Sequence, residues 1–117
     1  MKKKNIEKNY NLSVIVPFYN EEKYLEESVL RLVEVNIYEK IILVNDNSKD
    51  KSIEIANMLC QKYEFIQLIN IEKQSGKGNA IRVALDNIKT THLIVHDADL
   101  EYFPHDIPEM FDIAKTN

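Results

Sequence analysis

Three acidic side chains, Asp97, Asp99 and Glu101, directly follow the apolar run at 93–95. Like charges this close raise one another's pKa unless a positive charge lies among them. Residues two apart in an extended backbone point to the same side, so the three carboxylates can converge on one ion. Hard divalent cations prefer oxygen ligands and often share them with phosphate groups. The spacing predicts a Mg²⁺ or Mn²⁺ site completed by a diphosphate, with a solvated acidic turn as the alternative.

The segments that must position these acids alternate between strands and helices. Short apolar runs predict strands at 12–16, 40–44, 65–70 and 91–96. Helical spacing of apolar residues predicts helices at 21–35, 53–63, 76–88 and 105–115. Pro17 is expected to stop the first strand and Asn20 to cap the first helix. The third helix is expected to bury a stripe formed by Ile81, Ala84, Leu85 and Ile88.

This alternation predicts an α/β fold, a Rossmann-like and mostly parallel sheet with helices on both faces. Such sheets bind ligands at the carboxyl ends of their strands. The polar turns PFYNEE, NDNSKD and DADLEY all fall at that edge. The alternation predicts a further strand after the last helix, so the fold is expected to be incomplete at its C-terminus unless the protein is naturally short.

Composition and charge exclude several classes of protein. The chain has 117 residues, of which 44% are apolar, enough for one domain with a real core. The net charge of -4 argues against a nucleic-acid binder. Residues 1–11 form a basic polar tail, predicted to be solvated, with peripheral contact with anionic lipid as the alternative. No signal peptide or apolar run of about 20 residues is present, which predicts a cytoplasmic protein, with the inner face of the membrane as an alternative.

Other reactive side chains carry less weight. The single cysteine, Cys60, is predicted to be a small buried thiol. His92 and His96 alternate with Ile94 and are expected to be core or edge residues; a hydrogen bond from His96 to Asp97 is the alternative. His105 is expected at the surface. Both glycines lie in GKG, so neither the dinucleotide-binding nor the P-loop glycine pattern can be written.

Four segments follow one another in a characteristic order and spacing: LSVIVPFYNEE, ILVNDNSKD, SGKGNAIRVAL and VHDADLEYFP. Together they resemble the opening half of an inverting family 2 glycosyltransferase with the GT-A fold. Within the family, the likeness is to dolichyl-phosphate mannosyltransferase and polyprenyl-phosphate glucosyltransferase. The resemblance extends from Leu12 onward and implies that 12–117 form the nucleotide-sugar-binding part of a GT-A domain.

The resemblance also implies a role for each matching residue. One group would line the nucleotide pocket and meet the base, ribose and phosphates, and a second, overlapping group would form the D-x-D motif and the metal site. The first group is Pro17, Tyr19, Glu21, Val44, Asp46, Lys77, Asp97, Ala98 and Asp99. Within it, Asp97, Ala98 and Asp99 would form the D-x-D motif, and the metal ligands would be Asp97, Asp99 and Glu101.

The implied activity is metal-dependent transfer of a sugar from a UDP- or GDP-sugar to a polyprenyl phosphate or a glycan. The family's catalytic base lies beyond the D-x-D motif, so it is expected beyond Asn117 and no catalytic residue is assigned within the chain. Asn45 and Asn47 stand where the family has an acid and a glycine around Asp46, and Asn47 is expected to tolerate a left-handed backbone.

Two further classes remain open at this point. The same pocket could belong to a non-catalytic module that binds a nucleotide or nucleotide sugar. Alternatively, the chain could be a plain α/β interaction domain whose acids only keep it soluble. An unfinished sheet would expose an edge that a partner could cover, which leaves the oligomeric state open.

Overall fold

A computed structural model describes residues 11–98, and these form an alternating α/β unit. The elements in chain order are β1 (Leu12–Phe18), α1 (Leu25–Val35), β2 (Lys40–Asn45), α2 (Ser52–Lys62), β3 (Ile66–Asn70), α3 (Lys77–Leu85) and β4 (His92–Val95). The predicted alternation is confirmed over this range. The basic tail, the predicted closing helix at 105–115, Asp99, Glu101 and His105 lie outside the described residues.

The sheet has the order β3-β2-β1-β4, and each of its three strand pairs is parallel. The predicted parallel sheet is therefore confirmed. Because β1 lies between β2 and β4, the turns that follow these three strands emerge side by side at one edge. This topology brings the loops after residues 18, 45 and 95 together.

Helices cover both faces of the sheet, as predicted, because side chains alternate along β1. Val14 and Val16 face a cluster built from α1 and α2, which includes Leu25 and Leu59. Ile15 faces the opposite side and packs with the α3 residues Ala80 and Ala84. Full burial of an aliphatic side chain of this size contributes about 1.5–3 kcal/mol. Together the two clusters hold the strand ends in fixed positions.

Pro17 does not stop β1, which continues to Phe18 and pairs Pro17 with Val44 of β2. The expected strand end was wrong because the missing N–H of proline lies on the side where no ladder bond is needed. The Phe18 carbonyl accepts from Asp46 on the β2 side, so the preceding residue points the other way. On that other side, pairing with β4 ends at Ile15. A proline is therefore tolerated inside a central strand.

Asn20 does not cap α1, which begins four residues later than predicted. The residue before its first turn is Tyr24, and no side chain caps the helix. Asn20 has a left-handed backbone with φ of 52° and a side-chain oxygen that accepts from the amide of Lys49. Asn20 therefore joins the loop after β1 to the loop after β2 and does not cap the helix.

The buried stripe of α3 also differs from the predicted one. Ala80 and Ala84 are fully buried, whereas Leu85 is 44% exposed. Ile81 and Ile88 are half-buried and pack against the same cluster. The two small alanines let the helix lie close to the sheet. The buried stripe is therefore centred on Ala80 and Ala84, about one position before the predicted stripe.

Cys60 is half-buried and packs against the core, where burial raises the pKa of its thiol. The buried position of His96, which is 3% exposed, agrees with the predicted core histidine. Among residues 11–98, none of the helices has the length and apolar character that a membrane crossing requires.

Candidate active site at the carboxyl edge of the sheet

The loops after β1 and β2 are joined by hydrogen bonds that run in both directions. The amide of Asn20 donates to the Ser48 hydroxyl at 3.0 Å, and the amide of Lys49 donates back to the Asn20 side chain at 2.7 Å. One residue further on, the amide of Glu21 donates to the Ser52 hydroxyl at 2.8 Å. Because these are backbone amides, the loop after β1 has a fixed shape where it borders the edge of the sheet.

Asp50 extends this contact to the start of α2. Its carboxylate accepts from the amide of Glu22 at 3.1 Å and from the amide of Ser52 at 2.9 Å. Partial burial alone would raise the pKa of Asp50, but hydrogen bonds from the Ser52 side chain and from backbone amides outweigh it, so the pKa lies below its usual value. The charged form of Asp50 therefore stabilises this pair of loops.

Asp46, at the end of β2, is 5% exposed and holds the loop that leads into α3. One carboxylate oxygen accepts from the amide of Ser75 at 2.9 Å and the other accepts from the amide of Gly76 at 2.8 Å. Gly76 has φ of 89°, a conformation that favours glycine. A carboxylate has about four acceptor sites, so Asp46 can keep both bonds and still accept from a ligand.

A cavity of about 110 Å³ opens at this edge and brings together four of the predicted nucleotide-pocket residues. It is smaller than the roughly 300–1,000 Å³ of whole ligand pockets, so it can take one ring or one phosphate group. Tyr19 is 39% exposed there, with its ring accessible for stacking. The lining residues are Pro17, Phe18, Tyr19, Asp46, Lys77 and Ala80.

Lys77, the first residue of α3, forms an ion pair with Asp97, which follows β4. The Lys77 Nζ lies 2.7 Å from the Asp97 Oδ1. The lysine side chain is 55% exposed and the aspartate side chain 26% exposed. Since Asp46 holds Gly76 next to Lys77, a polar bridge runs from the end of β2 to the end of β4, across the end of β1.

The remaining predicted site residues within the described range do not line this cavity. Val44 is fully buried in the same cluster as Ala80, and Ala98 is 3% exposed in the cluster on the other face. Glu21 is half-buried. Within residues 11–98 there is no group of three or more His, Cys, Asp or Glu side chains close enough to hold a metal ion. The predicted ligands Asp99 and Glu101 fall outside this range.

The two asparagines around Asp46 have separate structural functions. Asn45 is 2% exposed, accepts from the amide of Ser48 at 2.9 Å and donates to the side chain of Asn70 at 2.9 Å. An amide can both donate and accept, which a carboxylate in this position could not. Asn47 has φ of 62°, so the expected left-handed backbone is confirmed.

Sequence reasoning missed three residues of this edge: Ser75, Phe18 and Ala80. The backbone amides of Ser75 and Gly76 donate hydrogen bonds to the Asp46 carboxylate. Any residue type except proline could make such bonds, so the sequence does not reveal them. Phe18 lines the cavity because β1 continues past its proline. Ala80 lies one turn after the start of α3. Its small side chain was the sequence feature that could have indicated a close contact between this helix and the sheet.

A second, larger cavity of about 570 Å³ lies beside residues at the starts of the strands, including Asn11 and Lys40. Its lining mixes acids, lysines and amides without a convergent arrangement. The carboxyl edge, with the buried Asp46 and the Lys77–Asp97 pair, is therefore the stronger candidate despite its smaller cavity.

The sheet and its helices define an α/β protein of the parallel-sheet class, whose members bind ligands beyond the carboxyl ends of their strands. A family model described as glycosyl transferase family 2 matches residues 13–117. The chain belongs to this family, as its sequence resemblance predicted.

Curated relatives include transferases that act on polyprenyl phosphates by name. Human dolichyl-phosphate beta-glucosyltransferase is 36% identical over 101 residues, covering 75% of this chain and 31% of that protein. Dolichol-phosphate mannosyltransferase of Pyrococcus furiosus is 32% identical over 107 residues, covering 90% of this chain and 30% of that protein. The chain thus spans about a third of the length of these relatives.

Solved glycosyltransferase structures share the fold, which confirms the predicted GT-A class. The mannosyltransferase PcManGT from Pyrobaculum calidifontis, in complex with GDP-Man and Mn²⁺, superposes with a TM-score of 0.72 at 23% identity, covering 78% of this chain and 28% of that one. S. aureus TarS 1-349 in complex with UDP-GlcNAc has a TM-score of 0.77 at 24% identity, covering 91% and 31%. At these identities the likeness concerns the fold.

Proposed function

We propose that this chain forms the donor-binding part of a metal-dependent, inverting glycosyltransferase that uses a nucleoside diphosphate sugar. The observation that carries the proposal is the convergence of Tyr19, Asp46 and Lys77 on one cavity, with Asp97 paired to that lysine. An aromatic ring, a buried carboxylate and a cation are the groups that a base, a ribose and a diphosphate require. Family membership and the complexes of fold relatives with GDP-Man and UDP-GlcNAc support the same donor class.

The chemistry of Asp97 fits a divalent ion. Its carboxylate is a hard oxygen ligand, and Mg²⁺ and Mn²⁺ sites commonly use one or two carboxylates plus substrate phosphates. Its side chain is 26% exposed and lies within ion-pair distance of Lys77, which lines the cavity. We propose Asp99 and Glu101 as further ligands from their spacing in the sequence. When bound, the ion would supply neutralisation of the charge that grows on the departing diphosphate.

The chain's own residues would bind and orient the donor. Tyr19 would stack on the base, with Pro17 and Glu21 bordering it. Asp46 would accept from the base or ribose while it holds the loop before α3. Lys77 and the first amides of α3 would bind the phosphates, since a helix N-terminus presents free N–H groups to anions. Val44 would support the site indirectly, because it belongs to the same buried cluster as Ala80, which lines the cavity.

The proposed acceptor is a polyprenyl phosphate, because several relatives carry such a substrate in their names, with a glycan as the alternative. Its oxygen would attack the anomeric carbon on the face opposite the departing nucleoside diphosphate, which inverts that carbon. A non-catalytic module that only binds the nucleotide sugar would share every donor contact described here.

Thermal unfolding of the full chain with UDP or GDP, each with and without Mn²⁺, tests this proposal. A ligand at about one hundred times its dissociation constant stabilises the folded state by about 2.7 kcal/mol. We expect stabilisation by one nucleotide together with Mn²⁺, and loss of the metal-dependent part in the Asp97→Asn variant. The control is Asp86→Asn, which changes an exposed acid at the end of α3. Absence of stabilisation by either nucleotide would favour a plain α/β interaction domain.

A further inference from the structure

The ion pair between Lys77 and Asp97 joins two residues that donor binding would need separately. The lysine lines the cavity, and the aspartate is the acid that directly follows β4. With the two charges 2.7 Å apart, the lysine occupies one of the oxygens that a divalent ion would take. In this arrangement the lysine charge is directed to Asp97 and the Oδ1 of Asp97 is shared with the lysine.

We infer that Lys77 is an internal counter-ion that exchanges partners, leaving Asp97 for the diphosphate when the donor binds. This inference rests on the proposed function and concerns how diphosphate binding and metal binding are coupled. While the pair is intact, Lys77 neutralises Asp97 and repels a cation. When a diphosphate draws the lysine away, the carboxylate becomes available to the metal ion.

The geometry makes this exchange inexpensive. The Lys77 side chain is 55% exposed and can turn about its flexible stem, whereas Asp97 is held closer to the protein. An ion pair with one such exposed partner contributes little to stability because solvent screens it. A diphosphate offers the lysine more negative charge than one carboxylate does, so the lysine prefers it.

The backbone of Lys77 does not need to move during the exchange. The carboxylate of Asp46 accepts from Gly76, the residue immediately before it, and Ala80 anchors the first turn of α3 in the core. Only the lysine side chain changes partner, between Asp97 on one side of the cavity and the phosphates within it. Diphosphate and metal ion would therefore strengthen each other's binding beyond their direct contact.

A double-mutant cycle without metal tests the exchange. The dissociation constant of the nucleoside diphosphate, UDP or GDP, is measured by calorimetry in EDTA for the full chain, D97N, K77M and K77M/D97N. If Asp97 retains the lysine, D97N removes that ion pair and tightens binding. We expect this gain to be about two- to fivefold larger with Lys77 present than in the K77M background, the range that an exposed ion pair supplies.

Simple repulsion between Asp97 and the phosphates predicts another result. Repulsion acts whether or not the lysine is present, so D97N would then tighten binding by the same factor in both backgrounds, and that result would overturn the exchange. The control K73M removes an exposed lysine from the same loop and should leave the gain from D97N unchanged. Failure of all four proteins to bind either nucleotide, even with Mn²⁺, would overturn the proposed function itself.

A second measurement uses the metal alone. Titration of the nucleotide-free chain with Mn²⁺, followed by electron paramagnetic resonance, reports free and bound ion directly. We expect K77M to bind Mn²⁺ about three- to tenfold more tightly than the unaltered chain, because it removes a competing cation and its repulsion. Equal or weaker Mn²⁺ binding by K77M would contradict the inference.

Discussion

The Oδ2 atom of Asp46 lies 2.8 Å from the backbone nitrogen of Gly76, so an acid at the end of β2 holds the residue from which α3 begins. The other oxygen holds the preceding amide, that of Ser75. This contact determines where the first turn of α3 stands relative to the sheet. It therefore also determines how far Lys77 can reach across the cavity.

Asp46→Asn should loosen this loop. The amide keeps one acceptor oxygen, but its NH₂ group then faces a backbone N–H, and two donors cannot satisfy each other. We expect a loss of about 1–3 kcal/mol in the free energy of unfolding, measured in urea. Hydrogen exchange at Ser75 and Gly76 should accelerate more than in the strands. The exposed change Asp86→Asn should stay within about 0.5 kcal/mol of the unaltered chain, and an equally small effect of Asp46→Asn would contradict the assigned contact.

Asn47 provides a test of backbone conformation at one position. Its φ of 62° lies in the left-handed region, which glycine and asparagine adopt more readily than other residues. Asn47→Ala should lower the free energy of unfolding by about 1 kcal/mol, whereas Asn47→Gly should change it by less than about 0.5 kcal/mol. Chemical denaturation measures both. Equal stability of the two variants would indicate that the loop relaxes to another conformation.

The strand-helix order and the parallel sheet could be predicted from sequence because the central strands β1 and β2 are mostly apolar runs buried on both faces, and helices with apolar stripes follow them. The same pattern located the polar turns at one edge. What could not be predicted depends on contacts between distant residues. Pro17 is tolerated inside β1 only because β4 stops pairing at Ile15, and Asn20 bonds to Lys49 instead of its own helix.

The site shows the same division. The family resemblance implied that Tyr19, Asp46 and Lys77 would lie near one another, and they line one cavity. Their partners could not be predicted from the sequence. Asp46 accepts hydrogen bonds from backbone amides, and Lys77 pairs with Asp97, which was predicted to be a metal ligand. Neither contact follows from spacing along the chain.

Acidification should weaken the contact between the loops after β1 and β2. The pKa of Asp50 is lowered in the folded chain, so its stabilising effect is complete above the unfolded-state pKa of about 3.9 and is lost as the pH falls through the folded value. The unaltered chain should therefore be more stable than Asp50→Asn at about pH 6, and the difference should shrink toward about pH 2. Urea unfolding across this range measures it. The control Glu54→Gln alters an exposed acid on α2 and should show no comparable trend; a difference for Asp50→Asn that is constant with pH would contradict the charged contact.

Two buried alanines of α3 differ in whether they line the cavity. Ala80 and Ala84 are both fully buried in the same cluster, one turn apart, but Ala80 also lines the cavity. Valine at either position adds two methyl groups to a close contact between helix and sheet, which costs about 1–3 kcal/mol in unfolding free energy. Only at Ala80 can the added groups also enter the cavity of about 110 Å³. Ala80→Val should therefore lose the thermal stabilisation by nucleotide and Mn²⁺ that Ala84→Val retains.

Because the two variants share their packing defect, a general loss of stability would affect both alike. Retained stabilisation in Ala80→Val would place the nucleotide somewhere other than this cavity.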